Sequence, residues 1–533
     1  MNARASTEPL FHPTRMALLE PVSRLHATNP FEPAYEALVN EALGDRSGAG
    51  AGGGGSNTGL LERKLARLTE TVGMVLAVVA HGLAGGATAT ARELTVYRGA
   101  ALHGLSDGLA GRFRGLIEAG RTDAPFYDGF LEEYRFLFGH CGVAVPAPGH
   151  LFALLYQMRR AWHFIGTKIR GGAPSAAAAR AAVWRANLGS DFEAYAGGLY
   201  RYMDEIPVLV TGETGTGKEL AAECIGWSRY IPFDPATKRF ATTHDGDFHV
   251  RNLADVPREL VDGALFGHKR GSFTGATGDA VGCLSLPKEH GSLFFDEIGE
   301  LPEYVQVKLL RPLESREYLP IGETKPRRLL GRQVFATNRD LEALCREGRF
   351  RADLLERING VPVRMPPLRQ LLAEAPDELH GYVSAFLAEK LDDPAQVARW
   401  AGRVVDAIGA NRRGDAWSRN MRELKHYAEN YLLTDGRMSP APPPPPVAPP
   451  EQGAPESTCE VSSGILGPRA KAGEVTLEEI ARDYVTRVHV LTDQNRSETA
   501  RRTGLNWRTV GQKLEPARLI RWLARRPKKD PEE

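Results

Sequence analysis

Hydrophobic positions change texture along the chain. Leu61, Leu65, Leu68, Val72, Leu76 and Val79 recur every three or four residues, as do Leu151, Leu155, Met158, Trp162 and Ile165. Such spacing puts each set on one face of a helix. Phe126, Phe130, Tyr134 and Phe138 repeat every fourth residue. These stripes predict packed helices up to about residue 195 and carry no chemistry of their own. From Ile206 onward, short apolar runs at Val208–Thr211, Phe248–Arg251, Leu293–Asp296 and Val334–Thr337 alternate with helical stretches. That alternation predicts a parallel sheet covered by helices. Leu371 to Leu433 returns to helical texture, and Val475 to Leu523 is helical and locally basic.

Two low-complexity segments punctuate this pattern. Gly48 to Ser56 offers no side chains to bury and reads as a tether, and the proline run within Ser439 to Pro455 reads as an extended spacer. The expected organisation is a mainly helical region over 1–195, an α/β core over 196–370, a helical lid over 371–435, a linker over 436–473 and a terminal domain over 474–533. At 42% hydrophobic and 25% charged residues the composition is that of a folded chain, which excludes a disordered or fibrous protein. Lys+Arg (67) nearly cancels Asp+Glu (66), so any basic surface is local. Five dispersed cysteines form neither a disulfide framework nor metal-ligand spacing. The apolar stretch Val72 to Ala80 is far shorter than the ~20 residues a bilayer span needs, and no basic-then-apolar leader opens the sequence. A soluble, cytoplasmic protein with no membrane partner is expected.

Chemistry concentrates in the α/β segment. Gly212-Glu213-Thr214-Gly215-Thr216-Gly217-Lys218 lies between a strand-like run and a helical one, the setting of a phosphate-binding loop. Its backbone N–H groups would close around phosphate oxygens, and Lys218 would supply a cation for the β- and γ-phosphates. Glu219 stands where a Ser or Thr commonly ligates magnesium. Downstream, the apolar run Leu293-Phe294-Phe295 ends in Asp296 and Glu297. Asp296 is placed to hold a metal ion and Glu297 to polarise an attacking water.

Longer motifs surround these residues: GETGTGKE (Gly212 to Glu219), LFGHKRGSFTGA (Leu265 to Ala276), GSLFFDEIGELP (Gly291 to Pro302), VQVKLLR (Val305 to Arg311), ATNRDL (Ala336 to Leu341), GRFRADLLERIN (Gly348 to Asn359) and PPLR (Pro366 to Arg369). Together they resemble the AAA+ ATPase domain of bacterial enhancer-binding proteins, the sigma-54-dependent transcription activators. In that family glutamate usually follows the P-loop lysine, which accounts for Glu219. Gly271 to Ala276 resembles the loop with which members contact sigma-54, so Phe273, Thr274 and Gly275 are the implied contacts, with Ser272 in place of the usual alanine. The resemblance further implies ATP and Mg2+ as cofactors. Asn252 would relay nucleotide state through Glu297, and Thr337 and Asn338 would form a sensor. Arg351 and Arg357 would be arginine fingers reaching a neighbouring subunit's ATP, in a ring that is usually a hexamer. Trp417 to Leu424 resembles the family's WPGNVREL, with Arg422 as second sensor and Ser418-Arg419 in place of Pro-Gly.

Asn495 to Leu514 reads as helix, glycine turn, helix, with Asn506 as an N-cap. It resembles the Fis-type helix-turn-helix of these activators, so Asn506, Arg508, Thr509, Gln512 and Lys513 are the implied contacts to double-stranded DNA. The reading that joins these signals is a multidomain activator with an AAA+ P-loop core, a helical lid and a helix-turn-helix, remodelling sigma-54 RNA polymerase with ATP. An AAA+ ATPase that remodels another protein complex is the alternative. A DNA-binding repressor with a dead ATPase is disfavoured by the full set Lys218, Asp296, Glu297, Arg351 and Arg357. The signal that the amino-terminal region senses is not legible.

Overall fold

The structure, a computed structural model, describes residues 9–45, 58–272, 278–411 and 417–436, together with 484–486, 488–490, 495–503 and 514. The chain divides into two compact units, Met1–Pro445 and Pro446–Glu533. The described part of the second unit includes the helix Arg496–Thr503, in which Thr499 accepts or donates to the buried ring of His489 at 2.9 Å. Both low-complexity segments, the loop tip Phe273, Thr274 and Gly275, and the five DNA-contact candidates Asn506, Arg508, Thr509, Gln512 and Lys513 lie outside the described residues.

The first unit is built on five parallel strands: β1 (Val208–Thr211), β2 (Phe248–Asn252), β3 (Ser292–Asp296), β4 (Arg332–Thr337) and β5 (Val361–Arg364). Their spatial order is β5-β1-β4-β3-β2. Successive side chains in a strand point to opposite faces. Val208, Val210, Phe294, Val334 and Ala336 therefore enter one core, while Leu209, Leu293, Phe295 and Phe335 enter another. Both faces are covered, which is why the central strands read as unbroken apolar runs. The edge strand β5 was not among the four predicted. Pro362 interrupts it and only Val363 is buried, so its four residues carry neither an apolar run nor an interior strand's composition. In register, Thr211 lies beside Thr337 and Asn252 beside Asp296, so the carboxyl ends of the strands form a single edge.

Helices of the amino-terminal region form one face of this sheet's covering. Their core runs without a break into Val208, Ala221, Cys224 and Val334. The helix Pro148–Lys168 lies against the helix Lys218–Trp227 that follows the P-loop, and closes its carboxyl end with side chains. Gln157 Nε2 donates to the Ser228 carbonyl at 3.0 Å, and fully buried Arg160 donates to the Trp227 and Arg229 carbonyls at 2.9 and 2.7 Å. Helix-end carbonyls have no intrahelical partner, so this is a C-cap supplied from another region of the chain. Ala173 and Ala176 enter the third core, that of the lid, with Leu368, Tyr382, Trp417 and Tyr427. The lid's first helix, Leu368–Glu374, begins just before the expected boundary at 370.

The long helix Thr58–Ala84 contains a 22-residue stretch, Arg63–Ala84, that is by length and composition long and apolar enough to cross a bilayer, well beyond the Val72 to Ala80 run picked out in the sequence. Its predicted stripe faces inward: Leu65, Leu68, Val72, Leu76 and Val79 are buried in the amino-terminal core.

Burial pushes the Arg160 guanidinium down to about 10, still well above neutrality, so its two bonds are charge-assisted. Arg160→Met removes both and leaves two buried carbonyls unpaired. We expect a loss of about 2–4 kcal/mol, read as an earlier denaturation midpoint of the first unit in urea.

Candidate functional site

The P-loop leaves β1 at Thr211 and turns through three glycines with positive φ before Lys218 opens its helix. Gly215 (φ 80°) has a tertiary reason to lack a side chain: a Cβ there would sit 2.1 Å from the carbonyl oxygen of Arg419 in the lid. Gly217, at φ 92°, is the helix N-cap and leaves the first-turn N–H groups without a capping side chain. Those donors and the helix dipole suit an anion. Lys218 is buried, and its Nζ donates to the Gly212 and Glu213 carbonyls at 3.0 and 3.3 Å. Burial draws its pKa below the ordinary lysine value, against the opposing pull of Glu297 and Asp296.

Asp296 ends β3, and Glu297 follows in the left-handed region at φ 57°, ψ 47°, its N–H donating to Asp296 Oδ1 at 3.0 Å. A non-glycine residue held in that region stores of order 1 kcal/mol, and here the strain turns the chain out of the sheet directly after the acid pair. Burial holds the Glu297 carboxyl above its ordinary 4.5; Lys218 pulls it back and Asp296 pushes it further up. From β4, Asn338 Nδ2 donates to Thr214 Oγ1 at 2.9 Å, and the Thr337 carbonyl accepts from Gly212 N at 3.3 Å. Thr337 and Asn338 are thus stitched directly to the P-loop.

The lid closes on the same loop. Arg369 forks onto Glu213 at 2.7 and 2.5 Å. Buried Asn420, at φ 52°, donates to Glu213 Oε2 at 3.2 Å and to the Thr214 carbonyl at 3.1 Å, while its Oδ1 accepts from Leu368 N at 2.7 Å. Met421 N adds a bond to the Gly215 carbonyl at 3.1 Å. The neighbouring Arg422 lies close enough for its charge to lower the Lys218 pKa. Arg369 and Asn420 both stand inside motifs quoted from the sequence, yet no role was read for either. The available signal was Asn420 itself, because asparagine tolerates positive φ better than most residues.

The other predicted positions are distributed differently. Glu219 is exposed on the first helical turn. Asn252, beside Asp296 in register, uses its Oδ1 to accept from Ala254 N at 3.0 Å, closing its own turn. Arg351 caps the helix Ala352–Ile358 and pairs with Asp353 at 2.7 Å. Arg357, exposed on that helix, donates to the Leu313 carbonyl at 2.8 Å. Both arginines are therefore held on a surface element by local partners. The base of the 273–277 loop is also built: Gly267–His268 pairs with Ala280–Val281, and Asp279 accepts from Lys269 Nζ at 2.8 Å and Arg270 N at 2.9 Å.

Residues 199–364 match the family model described as the Sigma-54 interaction domain. The matched segment is under a third of the chain. It includes the P-loop, the acid pair, the loop base and Arg351 and Arg357. The DNA-binding transcriptional regulator NtrC of Bradyrhizobium sp. (strain RP501 Parasponia) is 38% identical over 224 residues, covering 42% of each chain. The hydrogenase transcriptional regulatory protein HoxA of Bradyrhizobium diazoefficiens is 38% identical over 240 residues, covering 45% of each. The formate hydrogenlyase transcriptional activator FhlA of Escherichia coli is 34% identical over 262 residues, or 48% of this chain and 34% of that one. The chain thus spans less than half the length of these curated relatives.

Asn420→Ala removes three bonds and puts alanine at a positive φ. We expect the lid to loosen by about 2–4 kcal/mol, read as faster amide exchange in 368–375 and 420–434 with the sheet's protection unchanged.

Proposed function

We propose that this protein hydrolyses ATP in an oligomeric ring, a hexamer in which Arg351 and Arg357 meet a neighbour's nucleotide, and uses that energy to remodel sigma-54 RNA polymerase. The carrying observation is the convergence of Lys218, Asp296, Glu297 and Asn338 at one sheet edge, inside a sigma-54 interaction domain.

The residues present fit a nucleotide and its metal ion. Gly212 to Glu219 offer a glycine loop with uncapped N–H groups and a buried ammonium, and Arg422 adds positive charge from the lid. Asp296 would hold Mg2+, which supplies charge neutralisation at the phosphate oxygens when bound. Glu297 accepts a proton from the attacking water and must be ionised to do so. Asn338, bonded to Thr214, is placed to orient that water or to register the γ-phosphate. Asn252 exchanges its bond to Ala254 for one that follows Glu297, which would carry nucleotide state toward the loop. Arg351 and Arg357 give up their local partners to stabilise transition-state charge in trans. Phe273, Thr274 and Gly275 contact sigma-54, and Asn506, Arg508, Thr509, Gln512 and Lys513 bind upstream double-stranded DNA from a cytoplasmic location.

Glu297→Gln should cut ATP turnover at least about 100-fold while retaining ATP binding, measured by phosphate release and nucleotide titration. Because burial raises the Glu297 pKa, the carboxylate is lost as pH falls through a value above its ordinary 4.5, so the acid limb of turnover should lie above pH 4.5. Thr274→Ala should abolish open-complex formation by purified sigma-54 polymerase with ATP turnover intact. Equal transcription by both proteins would overturn the sigma-54 assignment and favour an ATPase acting on another complex.

A further inference from the structure

Helices of the amino-terminal region converge on a cavity of about 60 Å³, remote in sequence from the nucleotide site. At about 10–15 Å³ for each water-sized sphere, it has room for roughly four to six non-hydrogen atoms. Flat aromatic side chains from four elements line it: Tyr35, Trp162, Trp184 and Phe192. Two imidazoles also reach it, and His103 Nε2 and His26 Nδ1 are buried without a hydrogen-bond partner. A buried polar atom without a partner is destabilising, and a ligand supplying the missing bond recovers that loss.

The charges in the cavity cancel. Asp107 faces Arg159 at 3.4 Å and also accepts from Thr69 Oγ1. His26 Nε2 lies 3.7 Å from Glu193, which also pairs with Arg98. Burial pushes His103 down to about 4, so it is neutral at physiological pH and presents one donor and one acceptor nitrogen. Among the described residues no three His, Cys, Asp or Glu side chains group as metal ligands, so the imidazoles are offered to an organic molecule. We propose that this cavity binds a small uncharged planar ring that carries adjacent hydrogen-bond donor and acceptor atoms, an azole or a compound of that shape.

The cavity wall is shared with the P-loop helix's clamp. Met158 and Arg159 line the cavity from the helix Pro148–Lys168, and Gln157 and Arg160, on either side of them, hold the Ser228, Trp227 and Arg229 carbonyls. Trp184 lines it from the helix Pro174–Leu188, whose Ala186 carbonyl accepts from Arg332 of β4. Occupancy therefore bears on the helix behind Lys218. This second part of the proposal rests on the ATPase reading; the binding site does not.

The test uses the full chain and pyrazole, with thiophene as a ring of the same size lacking the donor–acceptor pair, and acetate as an ion. Tryptophan fluorescence and thermal midpoint are the readouts. Pyrazole should saturate below about 10 mM, within the affinity that five non-hydrogen atoms can supply, and should raise the midpoint. His103→Leu should weaken it at least tenfold with the circular dichroism spectrum unchanged, and His26→Phe serves the same purpose if that variant does not fold. Equal binding of thiophene, or no saturation by pyrazole below about 50 mM, overturns the site. A change of twofold or more in ATP turnover at saturating pyrazole supports the connection to the P-loop helix, and unchanged turnover overturns that connection alone. A chain with no ATP turnover sinks the proposed function, and the fluorescence titration still decides the cavity.

Discussion

A buried ammonium beside two carboxylates at the edge of a parallel sheet is the constraint on which the first unit depends. Lys218 is held by the Gly212 and Glu213 carbonyls and drawn toward Asp296 and Glu297. Three separate strands must end at the same level for that to happen. The register of β1 with β4 and of β4 with β3 sets the level, and the two covered sheet faces hold it.

The same loop receives contacts from every layer around it. Asn338 reaches it from β4, while Arg369 and Asn420 reach it from the lid. The amino-terminal helices act on the far end of its helix through Gln157 and Arg160. A lid tied to Glu213 by an exposed ion pair and to Thr214 by a buried amide has one screened attachment and one that is shielded from solvent. Arg160 is bonded to main-chain carbonyls inside the core, which makes the amino-terminal region a structural part of the α/β core.

Much of this was legible in advance. The helical stripes that begin at Leu61 and Leu151 pack into the amino-terminal core, with Leu61, Met158 and Trp162 only partly buried, and the four apolar runs are strands. The P-loop and the acid pair announced themselves because phosphate binding demands glycines and a lysine at set intervals, whatever the rest of the chain does. The edge strand β5 did not, since a four-residue strand with a proline has no periodic signal. Arg369 and Asn420 went unread as site residues because their partner, Glu213, lies more than 150 positions away. Phe273, Thr274 and Gly275, and Asn506, Arg508, Thr509, Gln512 and Lys513, lie outside the described residues.

By itself the sequence determined the long helices, four of the sheet's five strands and where phosphate chemistry resides, because periodicity and glycine spacing are local properties. Only the tertiary structure decided that the amino-terminal helices and the P-loop helix share a core, that Gly215 must be bare to admit the lid backbone, and that His26 and His103 meet in one cavity. Those are facts of close approach between distant segments, and packing at that range leaves no pattern in the order of residues.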